Sequence, residues 1–268
     1  MVRKAIIPAA GYGTRSLPIT KVIPKEMLPI GLKPAIHYIV EEAVNSGIEQ
    51  LLIITSKSKD MIIDYFDNSL ELETILIKSN KSHLLKHLEL PKIEILYKRQ
   101  PDINGLGAAI RLGKDFVGDE PFAVLLPDDL VFSGQAPALK ELIDIHKETN
   151  CSVLGLKKVN QNQLKDYGVI QGIGDTKVVE IQNIVEKPKT SLSSDMAVIG
   201  RYVFTPEIFQ FLLKINKGVN GEIQLTDAIK ELLTIQSVYG TIISGDRYDI
   251  GKLEEYVELM NVVFKENY

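Results

Sequence analysis

Apolar residues along this chain fall into two patterns that alternate from end to end. Short runs of strand length occupy residues 5–8, 51–55, 93–97, 122–126 and 152–156. The run at 51–55 does not alternate with polar positions, which marks a strand buried on both faces. Between them, residues 34–45, 59–90, 108–116 and 138–148 space their apolar side chains as helices do, the second of these in two or three pieces. Pro34 suits a first helical turn and Gly47 a stop. Strand and helix in alternation predict an α/β protein built on a largely parallel sheet. Past residue 160 the pattern changes. Strand-like runs at 169–173, 178–185 and 197–204 follow one another closely, with Gly-Asp and Lys-Pro between them. They predict antiparallel strands laid on the sheet. Helices at 207–214 and 225–234, a strand at 238–243 and a closing helix at 253–265 complete the series. No low-complexity linker or internal repeat interrupts it, which predicts a single domain over 1–268.

Composition narrows the function. With 268 residues, 45% hydrophobic and 25% charged, the chain can bury a sizeable core. Its net charge of −4 argues against a broad electrostatic grip on nucleic acid, though a local cluster of cations could still hold a small polyphosphate. Cys151 is the single cysteine, so neither an internal disulfide nor a paired-cysteine metal site is available, in keeping with a reducing cytoplasm. No run approaches the ~18 apolar residues of a membrane span, and the stretch at 5–10 is too short for a secretory leader.

The most informative segment is the loop predicted to follow the first strand, at 8–29. The carboxyl edge of a sheet is where α/β proteins place ligands. Gly11 and Gly13 would let the backbone approach an anion closely, and Arg15, Lys21 and Lys25 add cations that no nearby acids cancel. Pro8, Pro18, Pro24 and Pro29 stiffen it. The dinucleotide fingerprint would need glycine at Ser16, and the Gly-Lys-Ser/Thr of a P-loop is missing. From the residues alone, the loop reads as a polyphosphate site.

Elsewhere the residues leave alternatives open. Asp128 and Asp129 follow a strand and could hold a hard divalent cation or cap a turn. Glu186 and Lys187 end an apolar strand and could be simply solvated. His83 and His87 lie one helical turn apart with no third ligand near, and read as an exposed helix face. No Ser-His-Asp or Cys-His arrangement stands out.

The motifs taken together resemble those of the sugar nucleotidyltransferases, and within them the bacterial UDP-glucose pyrophosphorylases. The series runs Ala9-Ala10-Gly11-x-Gly13-Thr14-Arg15, Leu17-Pro18-x-Thr20-Lys21, Pro24-Lys25-Glu26-Met27-Leu28-Pro29, Arg99-Gln100, Gly105-Leu106-Gly107 and Pro127-Asp128-Asp129. It continues through Tyr167-Gly168-Val169-Ile170, Val185-Glu186-Lys187-Pro188, Gly221-Glu222-Ile223-Gln224-Leu225-Thr226-Asp227 and Arg247-Tyr248-Asp249-Ile250-Gly251, so it spans nearly the whole chain. The resemblance implies a three-layer, Rossmann-like fold with a mixed, mostly parallel sheet and a small antiparallel addition. It implies transfer of a uridylyl group from UTP to glucose 1-phosphate with Mg²⁺ as cofactor. Arg15, Lys25 and Lys187 would be catalytic. Ala10, Gly11, Gly13, Thr14, Glu26, Gln100 and Gly105 would bind the nucleotide, and Asp129, Gly168 and Glu186 the sugar. Asp128 and Asp249 would hold the metal. A cytoplasmic homo-oligomer is expected by the same likeness.

The alternatives are the same chemistry on another base or sugar, as in a thymidylyl- or cytidylyltransferase, or a catalytically weak regulator that binds nucleotide sugars. Three positions depart from the family's common pattern. Ala108 stands where many members have His, Lys252-Leu253 where Asp-Lys is usual, and Pro127 where Gly is frequent.

Overall fold

A computed structural model of the chain describes residues 1–132, 134–174, 177–189, 194–215 and 221–267. The elements run β1 (Lys4–Pro8), β2 (Pro29–Ile30), β3 (Lys33–Pro34), α1 (Ala35–Asn45), β4 (Gln50–Thr55), α2 (Asp60–Phe66), α3 (Leu70–Lys78) and β5 (Glu94–Arg99). Next come α4 (Leu106–Arg111), α5 (Lys114–Val117), β6 (Phe122–Leu125), β7 (Asp129–Phe132), α6 (Ala138–Thr149) and β8 (Ser152–Lys158). The chain closes with β9 (Gly168–Ile173), β10 (Val178–Glu186), β11 (Met196–Phe204), α7 (Ile208–Leu212), α8 (Leu225–Leu232), β12 (Val238–Ile242), β13 (Asp246–Asp249) and α9 (Leu253–Asn267).

Nine strands form one sheet in the order β5-β4-β1-β6-β11-β8-β12-β10-β9. The β5-β4-β1-β6 half is parallel throughout, as the unbroken apolar runs predict. Adjacent residues of β1 point to opposite faces: Ile7 packs with α1, α6 and α9, and Ile6 with α4, α7 and α8. Helices therefore cover both faces, giving the expected three layers.

The antiparallel strands differ from expectation in their placement. They are members of the sheet rather than additions laid on it. β11 lies in the middle, antiparallel to both β6 and β8, while β8 and β12 are parallel and β10 runs antiparallel to β12 and β9. The burial of β11 from Ala197 to Phe204 fits a central strand, whereas β10, near the edge, alternates between buried and partly exposed positions. The region expected to be helical in pieces is α2, α3 and a 3-10 segment at Ser82–Leu88, on which His83 and His87 are exposed. The single helix expected at 108–116 is broken into α4 and α5 at Gly113, where any side chain would strike Ile6.

Four short strands went unseen in the sequence: β2 and β3, of two residues each, and β7 and β13. β7 and β13 pair antiparallel, with Asp129 opposite Asp249 and Leu130 opposite Tyr248. Each has only four residues, too few for a period of two to show.

A fully buried cation ties the centre of the sheet to α1. Arg201 of β11 has no exposed surface, and its Nε and Nη2 donate to Glu42 at 2.8 and 2.7 Å. Glu42 also accepts the backbone N–H of Leu139, at the start of α6 (2.9 Å). Removing the carboxylate leaves a buried charge unpaired, which costs far more than the pair itself contributes. Glu42→Ala is therefore expected to lower unfolding free energy by about 3–5 kcal/mol in urea titration. A loss below ~1 kcal/mol would show that Arg201 finds other compensation.

Candidate active site

The site is assembled where β1, β6 and the β7–β13 ladder end or begin. The loop after β1 folds into 3-10 turns at Thr14–Ser16, Ile19–Lys21 and Lys25–Met27. Gly13, at φ 66°, opens the first, and its carbonyl accepts the Thr20 hydroxyl at 2.8 Å, which closes the loop on itself. The turns bring Arg15 and Lys25 to the carboxylates of the ladder. Arg15 donates to Asp249 Oδ2 at 2.8 Å and Oδ1 at 3.3 Å, and reaches Asp128 Oδ2 at 3.5 Å. Lys25 Nζ donates to the same Asp128 oxygen at 2.6 Å. A side chain at Gly251 would lie 2.5 Å from the Arg15 guanidinium, so the glycine after Asp249-Ile250 makes room for that arginine.

Charge and burial are balanced here. Burial would push the Asp128 carboxyl up, but Lys25 and Arg15 outweigh it and hold it below the usual carboxylate range. Burial likewise opposes the charge on Lys25, and Asp128 with Glu26 reverses that, holding the ammonium above its ordinary value. Both groups stay ionised at neutral pH.

Beside this cluster opens a cavity of about 570 Å³. Its lining includes Arg15, Asp128, Asp129 and Asp249 together with Tyr167, Gly168, Glu186 and Lys187. A smaller recess of about 160 Å³, lined by Gly13, Thr14, Arg15, Ser16, Lys25 and Gly251, adjoins it through Arg15. The three expected catalytic cations thus share connected space: Arg15 and Lys187 line the cavity, and Arg15 and Lys25 the recess. Lys187 has φ 42°, a left-handed conformation that costs a non-glycine residue of order 1 kcal/mol and that clusters at functional sites. Its backbone N–H is pinned to the Tyr167 carbonyl at 2.9 Å, while its side chain stays largely exposed. A side chain at Gly168 would lie 3.1 Å from Thr226 and 3.4 Å from Glu186, so this glycine keeps the wall flat where those two meet.

The expected nucleotide residues are divided. Ala10 is buried, and Gly11 has open space where a side chain would project, so a ligand could approach the backbone there. Gln100 is buried, with its side chain bonded to Asn104 at 3.2 Å, and lies outside the cavity lining. Gly105 also lies outside it; glycine is required there by φ 103° and by the Ile223 carbonyl, 2.7 Å from where a side chain would start. Glu26 differs from the expectation of a base contact. It has no exposed surface, and Lys59 Nζ donates to both its oxygens at 2.8 and 2.7 Å. Burial pushes the Glu26 carboxyl up and the Lys59 ammonium down. Asp129 lines the cavity as expected, but its carboxylate is already engaged. Oδ2 accepts the Gly200 N–H at 2.6 Å, and Oδ1 accepts Arg247 Nε.

Arg247, Tyr167, Lys59 and Lys252 were given no role from the sequence. Arg247 and Tyr167 do stand within the family motifs, and Arg247 lies two residues before Asp249, which on a strand puts both on one face. Of the departures from the family pattern, Lys252 lines the cavity and donates to the Tyr167 hydroxyl at 3.1 Å, whereas Ala108 is buried in α4 away from it.

The family model described as nucleotidyl transferase matches residues 4–266, and the chain belongs to that family. A Bacillus subtilis (strain 168) protein provisionally named UTP–glucose-1-phosphate uridylyltransferase is 52% identical over 266 residues, covering 99% of this chain and 98% of that one. The UTP–glucose-1-phosphate uridylyltransferase 2 of Staphylococcus saprophyticus is 48% identical, over 96% of this chain and 90% of its own. Among solved structures, an apo UDP-glucose pyrophosphorylase superposes with a TM-score of 0.93 at 42% identity, all of each chain being covered. A UDP-glucose pyrophosphorylase complexed with UDP-glucose gives 0.88 at 41%, again over both whole chains.

The ion pair between Lys25 and Asp128 makes a prediction about titration. A carboxylate held low in the folded state adds stability above its unfolded value, near ~3.9, and that stability is lost as pH falls through the folded value. Lys25→Met leaves burial acting against one cation fewer. The Asp128 carboxyl should then titrate at higher pH than in the parent, read by carbon-detected NMR. An unmoved titration would mean that Lys25 does not hold it.

Proposed function

We propose that this chain transfers the uridylyl group of UTP to glucose 1-phosphate, giving UDP-glucose and pyrophosphate. The observation that carries this reading is the convergence of Arg15, Lys187, Asp128 and Asp249 on one cavity, with Lys25 in the recess adjoining it, in a chain about half identical to proteins named for that reaction.

The chemistry asks little of the protein beyond positioning and charge. A phosphate oxygen of glucose 1-phosphate is already ionised at neutral pH, so attack on the α-phosphorus of UTP needs no general base. Lys187, which lines the same cavity as Arg15, would hold the incoming phosphate in line. Arg15 and Lys25, which share the smaller recess with the Gly13-Thr14 backbone, would take the charge that builds on the departing pyrophosphate. Glu186, Gly168 and Thr226 would receive the sugar.

The donor set fits magnesium. Asp128 and Asp249 offer hard oxygens that already share one cation, Arg15, with Lys25 also on Asp128, and magnesium is commonly held by one or two carboxylates with substrate phosphates completing its shell. Those two aspartates would hold it, and when bound it neutralises the nucleotide phosphates. Arg15 would then exchange its carboxylate partners for phosphate oxygens.

No helix among the described residues is long and apolar enough to cross a membrane. Dependence on UTP supports a cytoplasmic location, and the exposed Leu253 and Val257 of α9 support a homo-oligomer.

Pyrophosphate release from glucose 1-phosphate is expected with UTP and Mg²⁺, and not with dTTP, CTP or ATP. Release with another nucleotide alone would replace the uridylyl assignment. Lys187→Ala and Asp128→Ala should each lower turnover by at least ~100-fold in folded protein, the loss typical of removing a group that stabilises transition-state charge. Near-normal turnover in either would remove that residue from the mechanism.

A further inference from the structure

Arg247 is held on several sides, and two of its partners, Asp129 and Tyr167, line the cavity. Its Nε donates to Asp129, whose other oxygen is held by the Gly200 N–H of central strand β11. Its Nη1 donates to the Tyr167 hydroxyl at 2.9 Å and lies 3.5 Å from Glu255. The guanidinium also stands 5.2 Å from the centre of the Tyr167 ring, within cation–π range. Arg247 is nearly buried, and burial works against its charge, yet Asp129 outweighs that and raises its pKa further.

Tyr167 is the link from this cation to the sugar end. Its carbonyl pins the backbone of Lys187 in the left-handed conformation, and its hydroxyl accepts both Arg247 and, at 3.1 Å, Lys252. Arg247 also shares a strand with Asp249, two residues on, and Asp249 is the cross-strand partner of Asp129. One guanidinium therefore connects the β7–β13 ladder, which carries the carboxylates, to the turn that aims Lys187.

We propose that Arg247 is a positioning residue for the sugar-phosphate side of the reaction: through Tyr167 it fixes where Lys187 stands relative to Asp128 and Asp249. This rests on the uridylyltransferase reading above. Arg247 itself need not touch substrate, because its effect travels through the Tyr167 hydroxyl and the backbone bond that follows. The arrangement distinguishes the two substrates. Arg15, Lys25 and the Gly13 turn are held by the β1 loop and by Asp128 and Asp249, without Arg247, so the nucleotide side should be little disturbed when it is altered.

The test is a steady-state comparison of the whole protein with Arg247→Lys, Arg247→Met and Tyr167→Phe, varying UTP and glucose 1-phosphate separately. Tyr167→Phe keeps the ring and removes only the hydroxyl, so it retains the fold if Arg247→Met does not. The KM for glucose 1-phosphate should rise by ~10-fold or more in Tyr167→Phe and Arg247→Met, with the KM for UTP within about twofold of the parent, as loss of one substrate's positioning requires. Arg247→Lys, which keeps the charge but not the fork, should fall between. Combining Tyr167→Phe with Arg247→Met should add little to either alone, since both cut the same link. An active parent whose variants lose only kcat, or raise both KM values alike, overturns the positioning role alone. A parent that makes no UDP-glucose overturns this proposal together with the reading beneath it.

Discussion

The site depends on one arginine lying between two aspartates from distant parts of the chain. Arg15 meets Asp249 and Asp128, which stand 234 and 113 residues away in sequence, and it can do so because β7 and β13 pair in a register that sets Asp129 opposite Asp249. The register brings like charges together, which alone would be repulsive. Arg15 and Lys25 neutralise them before any substrate arrives. The glycine at 251 follows from the same constraint, because a side chain there would displace the guanidinium.

This arrangement keeps charge in reserve. Asp128 is held ionised despite its burial, and Lys25 is held charged despite its own. Anionic phosphates entering the recess would compete with the aspartates for Arg15 and Lys25. The free protein thus already contains both halves of the charge pattern that phosphoryl chemistry needs, paired with one another. Such preorganisation avoids reordering charges during the reaction.

The parallel half of the fold was legible because β1, β4 and β6 are buried on both faces and so read as unbroken apolar runs. β11 was legible as a strand but not as a central one, since strand order is set by pairing that no local pattern records. β7 and β13 were illegible for a different reason: four residues are too few to carry a period. At the site, motif likeness named Arg15, Asp128, Asp249, Glu186 and Lys187, which line one cavity, and Lys25, which lines the recess beside it. It could not reveal which charges are spent inside the protein. Glu26 is consumed by Lys59 and Asp129 by Arg247, and both partners come from segments far away in sequence.

The central claim is that Asp128 and Asp249 act as one unit around a shared cation. A double-mutant cycle on kcat/KM, with Asp128→Asn, Asp249→Asn and the pair combined, measures this directly. If they form one unit, the double variant should fall no more than ~10-fold below the weaker single, because either change already breaks the cluster. Effects that multiply, each aspartate costing as much in the absence of the other as in its presence, would contradict the account.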